Sequence, residues 1–152
     1  MAQRVLVAMT LALRPEVIVA DEPTSALDAD SSALVLAALR AHADSGAAVM
    51  LITHDLVAAR DVADTVAVMY AGRLLETGPA DRVLVDPWHS YSRALLDALP
   101  ENGLNPAPGV PPSLVDPDPT VCAWHSRIGT RCAPVVSEDS THVIACAPVG
   151  GR

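Results

Sequence analysis

Two adjacent carboxylates and a histidine each follow an apolar run of the sequence. Asp21 and Glu22 come directly after residues 17–20, and His54 comes directly after residues 47–53. In open α/β sheets, ligands bind at the carboxyl ends of the strands. Phosphoryl transfer needs an acid that holds Mg²⁺, usually through water, a second acid that orients the attacking water, and a group such as imidazole at the γ-phosphate. The alternative is that Asp-Glu-Pro merely starts a turn and that His54 merely ends a strand, and the residues alone leave both readings open.

The elements that must position these side chains alternate along the first hundred residues. Apolar periodicity and cap residues predict helices over residues 2–13, 30–44, 55–63, 79–85 and 90–98. Short β-branched or apolar runs predict strands over residues 17–20, 47–53, 64–70 and 73–76. The first two strands have the composition of buried central strands, and residues 2–13 that of a buried helix. Strand, helix, strand is the βαβ unit of a parallel sheet, so the predicted fold class is α/β.

Composition excludes several classes of protein. The chain has 152 residues and a formal net charge of −8, which argues against a basic nucleic-acid-binding face. No apolar run approaches the roughly 20 residues that cross a bilayer. Residues 5–13 loosely imitate a secretory signal, but Arg14-Pro15-Glu16 interrupts the run. The odd number of cysteines, three, fits a reducing cytosol better than a disulfide framework.

The order of "VIVADE", "SALD" and "ITHD" resembles the second half of an ATP-binding cassette (ABC) ATPase. The resemblance implies that Asp21 is the Walker B aspartate, which holds Mg²⁺, and that Glu22 is the catalytic glutamate. Ser25 and Asp28 fall in the D-loop, which faces a second ATPase subunit across a head-to-tail dimer. His54 matches the switch histidine, and the opening "MAQRV" looks like the residues that follow the LSGG signature of the family.

All ten basic residues are arginines, so the chain contains no lysine to reach the phosphates of ATP. The phosphate-binding loop, the Q-loop and the LSGG signature are not in this sequence. We interpret the chain as a truncated ATPase that is inactive alone; the alternative is a non-hydrolytic module that binds a partner or a metal. Without the missing half, we expect one apolar face of the first helix to stay partly exposed, at Val5, Leu6, Met9 and Leu13.

The stretch "DPWHSYSRALLDALP", residues 86–100, resembles the C-terminal extension of oligopeptide and dipeptide importer ATPases. His89, Tyr91, Arg93 and the pair Leu95-Leu96 fit the pattern, whereas Ser90 replaces the usual proline. Nickel importers share this extension, so a nickel importer ATPase remains an alternative.

Beyond Pro100 the sequence is rich in proline, has no periodicity and carries every cysteine. It predicts an irregular strap that leads into a small tail. Some members of the importer ATPase family that this chain resembles bind an iron–sulfur cluster in this region. Here Cys122, His125, Cys132 and Cys146 could bind such a cluster or Zn²⁺, and the alternative is three ordinary thiols.

The sequence therefore predicts three parts: a partial ABC ATPase domain over 1–78, a helical extension over 79–100, and the strap and cysteine-containing tail over 101–152. The resemblance implies the ATP-binding subunit of a peptide importer that couples hydrolysis of Mg²⁺-ATP to uptake. Its expected partners are a second ATPase subunit, the transmembrane permease subunits and, indirectly, an extracytoplasmic solute-binding protein, with no nucleic acid. Its expected location is the cytoplasmic face of the plasma membrane, as a peripheral protein.

Overall fold

The computed structural model describes residues 2–113, 118, 120–135 and 141–149. The chain folds as two compact units, Met1–Ala63 and Asp64–Arg152. The strands at residues 64–76, which the sequence pattern groups with the ATPase domain, therefore belong to the second unit. The part of the predicted strap at 114–117 and 119 lies outside the described residues.

The first unit is a βαβ arrangement with flanking helices. Its elements are α1 (Ala2–Ala12), β1 (Val17–Asp21), α2 (Ala29–Asp44), β2 (Ala48–Ile52) and α3 (Leu56–Val62). Strands β1 and β2 pair in parallel, with Val17 opposite Ala48 and Asp21 opposite Ile52. The crossover between them contains α2, as the sequence predicts, so the mixed α/β fold class is confirmed.

Short polar residues start the two helices that follow the strands. The Asp28 carboxylate accepts a hydrogen bond from Ser31 N at 2.8 Å and caps α2. The Asp55 carboxylate accepts one from Ala58 N at 3.0 Å and caps α3. Both caps satisfy backbone donors that a helix leaves free in its first turn.

The core of the first unit lies on one face of the two-stranded sheet. Ile18 packs there with Val35 and Leu39 of α2. On the opposite face, the side chains of Val17 and Val19 are 63% and 64% exposed. The prediction of fully buried strands is thus wrong for this chain, because the helices cover only one face of the sheet among the described residues.

Helix α1 contributes little to this core. Val7 and Leu11 pack against it, but Val5, Leu6 and Met9 are more than half exposed and Leu13 is 83% exposed. The prediction that this apolar face stays exposed is confirmed, and the prediction of a buried helix is not. No helix in the described part of the chain has both the length and the apolar character needed to cross a membrane.

The second unit contains two antiparallel sheets and short helices. Its strands are β3 (Thr65–Tyr70), β4 (Arg73–Pro79), β5 (Cys132–Pro134), β6 (Val143–Ile144) and β7 (Cys146–Pro148). Its α-helices are α4 (Ala80–Val83), α5 (Ser90–Asp97) and α6 (Ala123–Arg127). One sheet has the order β3-β4-β6, and the other pairs β5 with β7.

The hairpin between β3 and β4 turns at Ala71-Gly72, as the sequence predicts. Both residues have positive φ, 48° for Ala71 and 77° for Gly72. Two consecutive positive φ values are typical of a type I′ turn, whose twist matches that of the paired strands.

A buried carboxylate connects β4 to the segment before α5. Glu76 is 1% exposed and accepts hydrogen bonds from Trp88 N at 2.7 Å and His89 N at 3.1 Å. His142 Nε2 lies 2.7 Å from the same carboxylate, and the His142 ring stacks on Trp88 with centroids 3.9 Å apart. These contacts hold the start of α5 against the sheet.

Arg127 of α6 holds the proline-rich strap. Its guanidinium donates to Pro108 O at 2.7 Å, to Ala107 O at 3.0 Å and to the Tyr70 hydroxyl at 3.1 Å. The strap is therefore fixed by hydrogen bonds to its own carbonyl groups, although residues 104–113 form no helix or strand.

Candidate functional site

Glu22 and His54 meet at the carboxyl ends of β1 and β2. Glu22 Oε1 accepts one hydrogen bond from the His54 backbone N at 3.1 Å and lies 2.8 Å from His54 Nδ1. The two strands are parallel neighbours, which brings residues that are 32 positions apart to the same edge of the sheet. The two side chains to which the resemblance assigns catalytic roles are thus in direct contact.

The backbone of Glu22 is in a conformation that few residues adopt. Its φ is 45°, in the left-handed region, which costs a non-glycine residue about 1–2 kcal/mol. Hydrogen bonds hold the residue there: its N donates to Ile52 O at 2.9 Å, and its carbonyl accepts from Ser25 N at 3.3 Å and Ser25 Oγ at 3.1 Å. This conformation turns the chain sharply after β1, and strain of this kind clusters at functional sites.

The other predicted site residues lie around this turn. Asp21 is the exposed last residue of β1. Ser25 lies in the turn and accepts a hydrogen bond from Gln3 Nε2 at 3.4 Å. Asp28 also accepts a hydrogen bond from Ser31 Oγ at 3.1 Å, so its carboxylate caps α2 in this structure.

Local hydrogen bonds shift two pKa values in the site. The hydrogen bond to Glu22, followed by the charge of Glu22, raises the pKa of His54 above its usual value. The backbone and side-chain hydrogen bonds from Ser31 lower the pKa of Asp28. Both shifts favour the charged forms, a cationic imidazole and an anionic cap.

An open cleft of about 840 Å³ adjoins the pair. Glu22, Ser25 and His54 line it, together with Arg40 of α2 and Asp61 of α3. The side chain of His54 is 83% exposed and that of Glu22 is 35% exposed. Solvent therefore reaches both groups, as a water-activating pair requires.

A second group of polar side chains lies inside the second unit, and we call it the tail cluster. It comprises His89, Cys122, His125 and Cys146, whose ligand atoms all lie within 4.8 Å of one another. His125 Nδ1 is 3.3 Å from Cys122 Sγ and 3.4 Å from Cys146 Sγ. His89 Nε2 is 3.7 Å from Cys146 Sγ. Thiols and imidazoles in this arrangement could bind a metal ion.

Burial governs the charges in the tail cluster. It lowers the pKa of His89 to about 4, with the neighbouring His125 adding to the effect, and it also lowers the pKa of His125. It raises the pKa of the Cys146 thiol, as do hydrogen bonds with Cys132 and Cys122. Neutral imidazoles can act as metal ligands, whereas a metal would have to displace the thiol protons.

Of the four tail residues predicted as ligands, Cys122, His125 and Cys146 converge, and His89 takes the place of Cys132 in the compact group. Cys132 lies on β5, outside this compact group. The sequence identified His89 as part of the importer extension but not as a neighbour of the cysteines. A signal in the sequence could have pointed to His89, because it is one of only five histidines in the chain.

Comparisons with known proteins identify the family. The chain is 43% identical over 124 residues to the oligopeptide transport ATP-binding protein OppD of Bacillus subtilis, covering 77% of this chain and 35% of that protein. It is 39% identical over 137 residues to the dipeptide transport ATP-binding protein DppD of the same organism, covering 86% and 41%. It is 41% identical over 133 residues to DppD of Escherichia coli, covering 84% and 40%. The chain belongs to the family of ABC peptide transport ATP-binding proteins.

No family model matches the chain. The chain spans about two-fifths of the length of these peptide transport ATP-binding proteins, between 35% and 41%. What the complete relatives bind and transport is therefore a starting point for a proposal about this chain.

Proposed function

We propose that this chain carries the water-activating half of the ATPase site of a peptide importer. The observation that carries the proposal is the hydrogen-bonded pair of Glu22 and His54 at the ends of two parallel strands. ABC-type hydrolysis is an in-line attack of water on the γ-phosphate, so it needs a carboxylate for the water and a donor for the phosphate.

Glu22 is the group that orients or deprotonates the attacking water. Among the described contacts, both hydrogen bonds from His54 go to Oε1, which leaves Oε2 for a water molecule. The turn held by Ser25 fixes the direction of the carboxylate. A positioned base of this kind contributes typically 10²- to 10⁴-fold to a rate, an order-of-magnitude figure.

His54 supplies positive charge for the phosphate. With Nδ1 donating to Glu22, its Nε2 is left to donate to a phosphate oxygen. The raised pKa of His54 increases the share of the imidazolium form near neutral pH. The side chain is largely exposed, so a nucleotide can reach it.

Mg²⁺ and ATP are the cofactors that the family implies, and part of their binding site fits this chain. Asp21, at the exposed end of β1, would hold Mg²⁺ through water, and hard oxygen ligands are those that Mg²⁺ prefers. The phosphate side of the site requires a lysine, and this chain has none. We therefore propose that residues of this chain act on the water and the metal, and that ATP is held with groups from outside it.

The names of the relatives suggest the substrate. The proteins that match are described as oligopeptide and dipeptide transport ATP-binding proteins, and we propose peptide uptake for the transporter to which this chain contributes. Its partners would be a second ATP-binding subunit that meets Ser25 and Asp28, the permease subunits and, indirectly, a solute-binding protein. The site would then lie at the cytoplasmic face of the membrane.

A nickel importer is one alternative to this proposal. A non-hydrolytic module is the other, and such a module would not need Glu22.

Uptake in a chimera tests this proposal. The 124-residue segment of Bacillus subtilis OppD that aligns with this chain is replaced by the corresponding residues of this chain, in cells without their own OppD. We expect the chimera to restore oligopeptide uptake and His54→Ala to abolish it, with Glu16→Ala on the exposed surface as the matched control. Failure to restore peptide uptake, with the chimera present at the normal level, would contradict the assignment.

We also propose that the second unit binds a metal ion. The observation that supports it is the convergence of four thiol and imidazole groups within 4.8 Å, three of them on residues that the sequence predicts as ligands. Buried polar groups in this number are otherwise costly to a fold. Metal analysis of the purified chain is the direct test.

A further inference from the structure

A [4Fe–4S] cluster does not fit the tail cluster. A [4Fe–4S] cluster takes one cysteine thiolate on each of its four irons, and this chain has three cysteines in all. A cluster also needs its ligands spread around four metal atoms. In the tail cluster the ligand atoms all lie within 4.8 Å of one another.

The spacing of the donors matches a single tetrahedral ion. Zinc–sulfur and zinc–nitrogen bonds at tetrahedral angles place sulfur and nitrogen ligands about 3.6 Å apart. In the tail cluster, His125 Nδ1 lies 3.3 Å from Cys122 Sγ and 3.4 Å from Cys146 Sγ. These two distances are close to the sulfur–nitrogen edges of the tetrahedron that one zinc ion requires.

The hydrogen-bond partners of His125 allow it to bind the ion. Its Nδ1 faces the sulfurs of Cys122 and Cys146, while its Nε2 lies 3.2 Å from Ser90 Oγ. Ser90 Oγ also accepts a hydrogen bond from Trp124 Nε1 at 2.9 Å, and a hydroxyl oxygen has two lone pairs. The ring proton can therefore sit on Nε2 and donate to Ser90, which leaves Nδ1 as a ligand.

The same reasoning excludes His89 as a ligand. Its Nδ1 accepts a hydrogen bond from Tyr91 N at 3.0 Å, so the ring proton is on Nε2. That nitrogen points at Cys146 Sγ and is a donor. The contact between His89 and Cys146 is therefore a hydrogen bond to sulfur.

Cys132 is the remaining candidate for the fourth position. In the pairing of β5 with β7, Pro134 lies opposite Cys146, so Cys132 is the diagonal neighbour of Cys146 on the same face of the sheet. Diagonal neighbours lie about 7–8 Å apart with their side chains on the same face, so the two thiols can converge on one ion.

We propose that the second unit binds one zinc ion through Cys122, His125, Cys132 and Cys146, and that His89 donates a hydrogen bond to the Cys146 sulfur. The inference rests on the proposed metal binding and adds the ion, its ligands and the role of His89. His89 is a positioning residue, and Glu76 holds it in place through its backbone N. Four protein ligands leave no open position, which is typical of a structural zinc site.

The test uses the full chain, purified without oxygen, with metal analysis and cobalt substitution. We expect one zinc and no iron per chain. In Cys132→Ser, the sulfur-to-cobalt absorbance should fall by roughly one third, because two of three thiolates remain. No bound metal would overturn both the metal proposal and this inference, whereas stoichiometric iron with broad visible absorption would overturn this inference alone.

His89→Asn separates a positioning residue from a ligand. Asparagine is a good N-cap residue, so helix α5 keeps its start, but the shorter side chain cannot reach Cys146. We expect the cobalt d–d bands to stay unchanged and zinc affinity, measured by chelator competition, to fall about 10- to 100-fold. The control His42→Asn, in the first unit, should change neither. Shifted d–d bands in His89→Asn, or unchanged affinity, would overturn the assigned role.

Discussion

Glu22 and His54 lie 32 positions apart in the sequence, and a hydrogen bond joins their side chains. The carboxylate fixes the ring through Nδ1 and stabilises its cationic form. The imidazole and the backbone N of His54 in turn hold the Glu22 carboxylate at the end of β1. This mutual arrangement connects the proposed base for water and the proposed donor for phosphate within one hydrogen-bonded pair.

The pKa of His54 provides a test at the scale of single residues. Since the hydrogen bond to Glu22 is the largest cause of the upward shift, Glu22→Gln should lower the pKa of His54 toward its ordinary value. Asp55→Asn is the matched control and should lower it less, because the charge of Asp55 is the smallest of the causes that raise it. NMR titration of the ring protons measures both. An unchanged pKa in Glu22→Gln would show that the pair does not form in solution.

The sign of the pH dependence follows from the same shift. A group whose pKa is raised on folding stabilises the folded state fully below its unfolded pKa, near 6.5 for histidine. That contribution is lost as the pH rises through the raised pKa of the folded state. The ion pair between His54 and Glu22 should therefore weaken on the alkaline side.

At the scale of elements, the buried carboxylate of Glu76 holds three parts of the second unit together. It receives hydrogen bonds from Trp88 N and His89 N, ahead of α5, and contacts His142, next to β6. Gly78, two residues further along β4, leaves room for the His142 ring, which a Cβ would approach to 2.8 Å. The packing of these elements thus depends on the side chain of Glu76, which the sequence pattern places in an ordinary strand.

Glu76→Ala should destabilise the second unit by about 1–3 kcal/mol or more, since about 1–3 kcal/mol is the usual cost of leaving one buried hydrogen-bonding group without its partner. Both tryptophans, Trp88 and Trp124, lie in this unit, so tryptophan fluorescence during urea unfolding reports on it selectively. The exposed control Asp86→Ala should stay within about 0.5 kcal/mol of the unaltered chain. A loss below about 1 kcal/mol in Glu76→Ala would contradict the structural role of this carboxylate.

The helices and strands of the first hundred residues follow from local patterns, which is why they could be predicted within a few residues. Strand β4 runs on to Pro79, three residues beyond its predicted end, because pairing with β3 continues there. Strands β5, β6 and β7 contain three residues or fewer, too short for any periodicity to show. They arise from tertiary contacts of the tail.

The two candidate sites also differ in how far the sequence could predict them. The pairing of Glu22 with His54 could be predicted because parallel neighbouring strands end at the same edge of a sheet. The approach of His89 to Cys146, 57 positions away, could not, since no periodic element connects them. Histidines and cysteines in an irregular tail have to be located in three dimensions before a ligand set can be chosen.

At the scale of the whole molecule, the chain corresponds to part of the length of the proteins to which it is related. It spans 35–41% of their length, and it leaves an apolar face of α1 and of the first sheet exposed. The buried central strands that the composition predicts require a second covering layer. Among the described residues of the first unit, helices cover one face only.

The central claim is that Glu22 activates water without contributing to nucleotide affinity. The most direct measurement compares ATP hydrolysis and ATP binding in the purified, reconstituted chimera with Bacillus subtilis OppD, with and without Glu22→Gln. We predict that hydrolysis falls by about 10²- to 10⁴-fold, the usual effect of losing a general base, whereas the dissociation constant of ATP changes little. Near-normal turnover in the Glu22→Gln chimera would contradict the claim, as would a loss of hydrolysis that is explained entirely by weaker ATP binding.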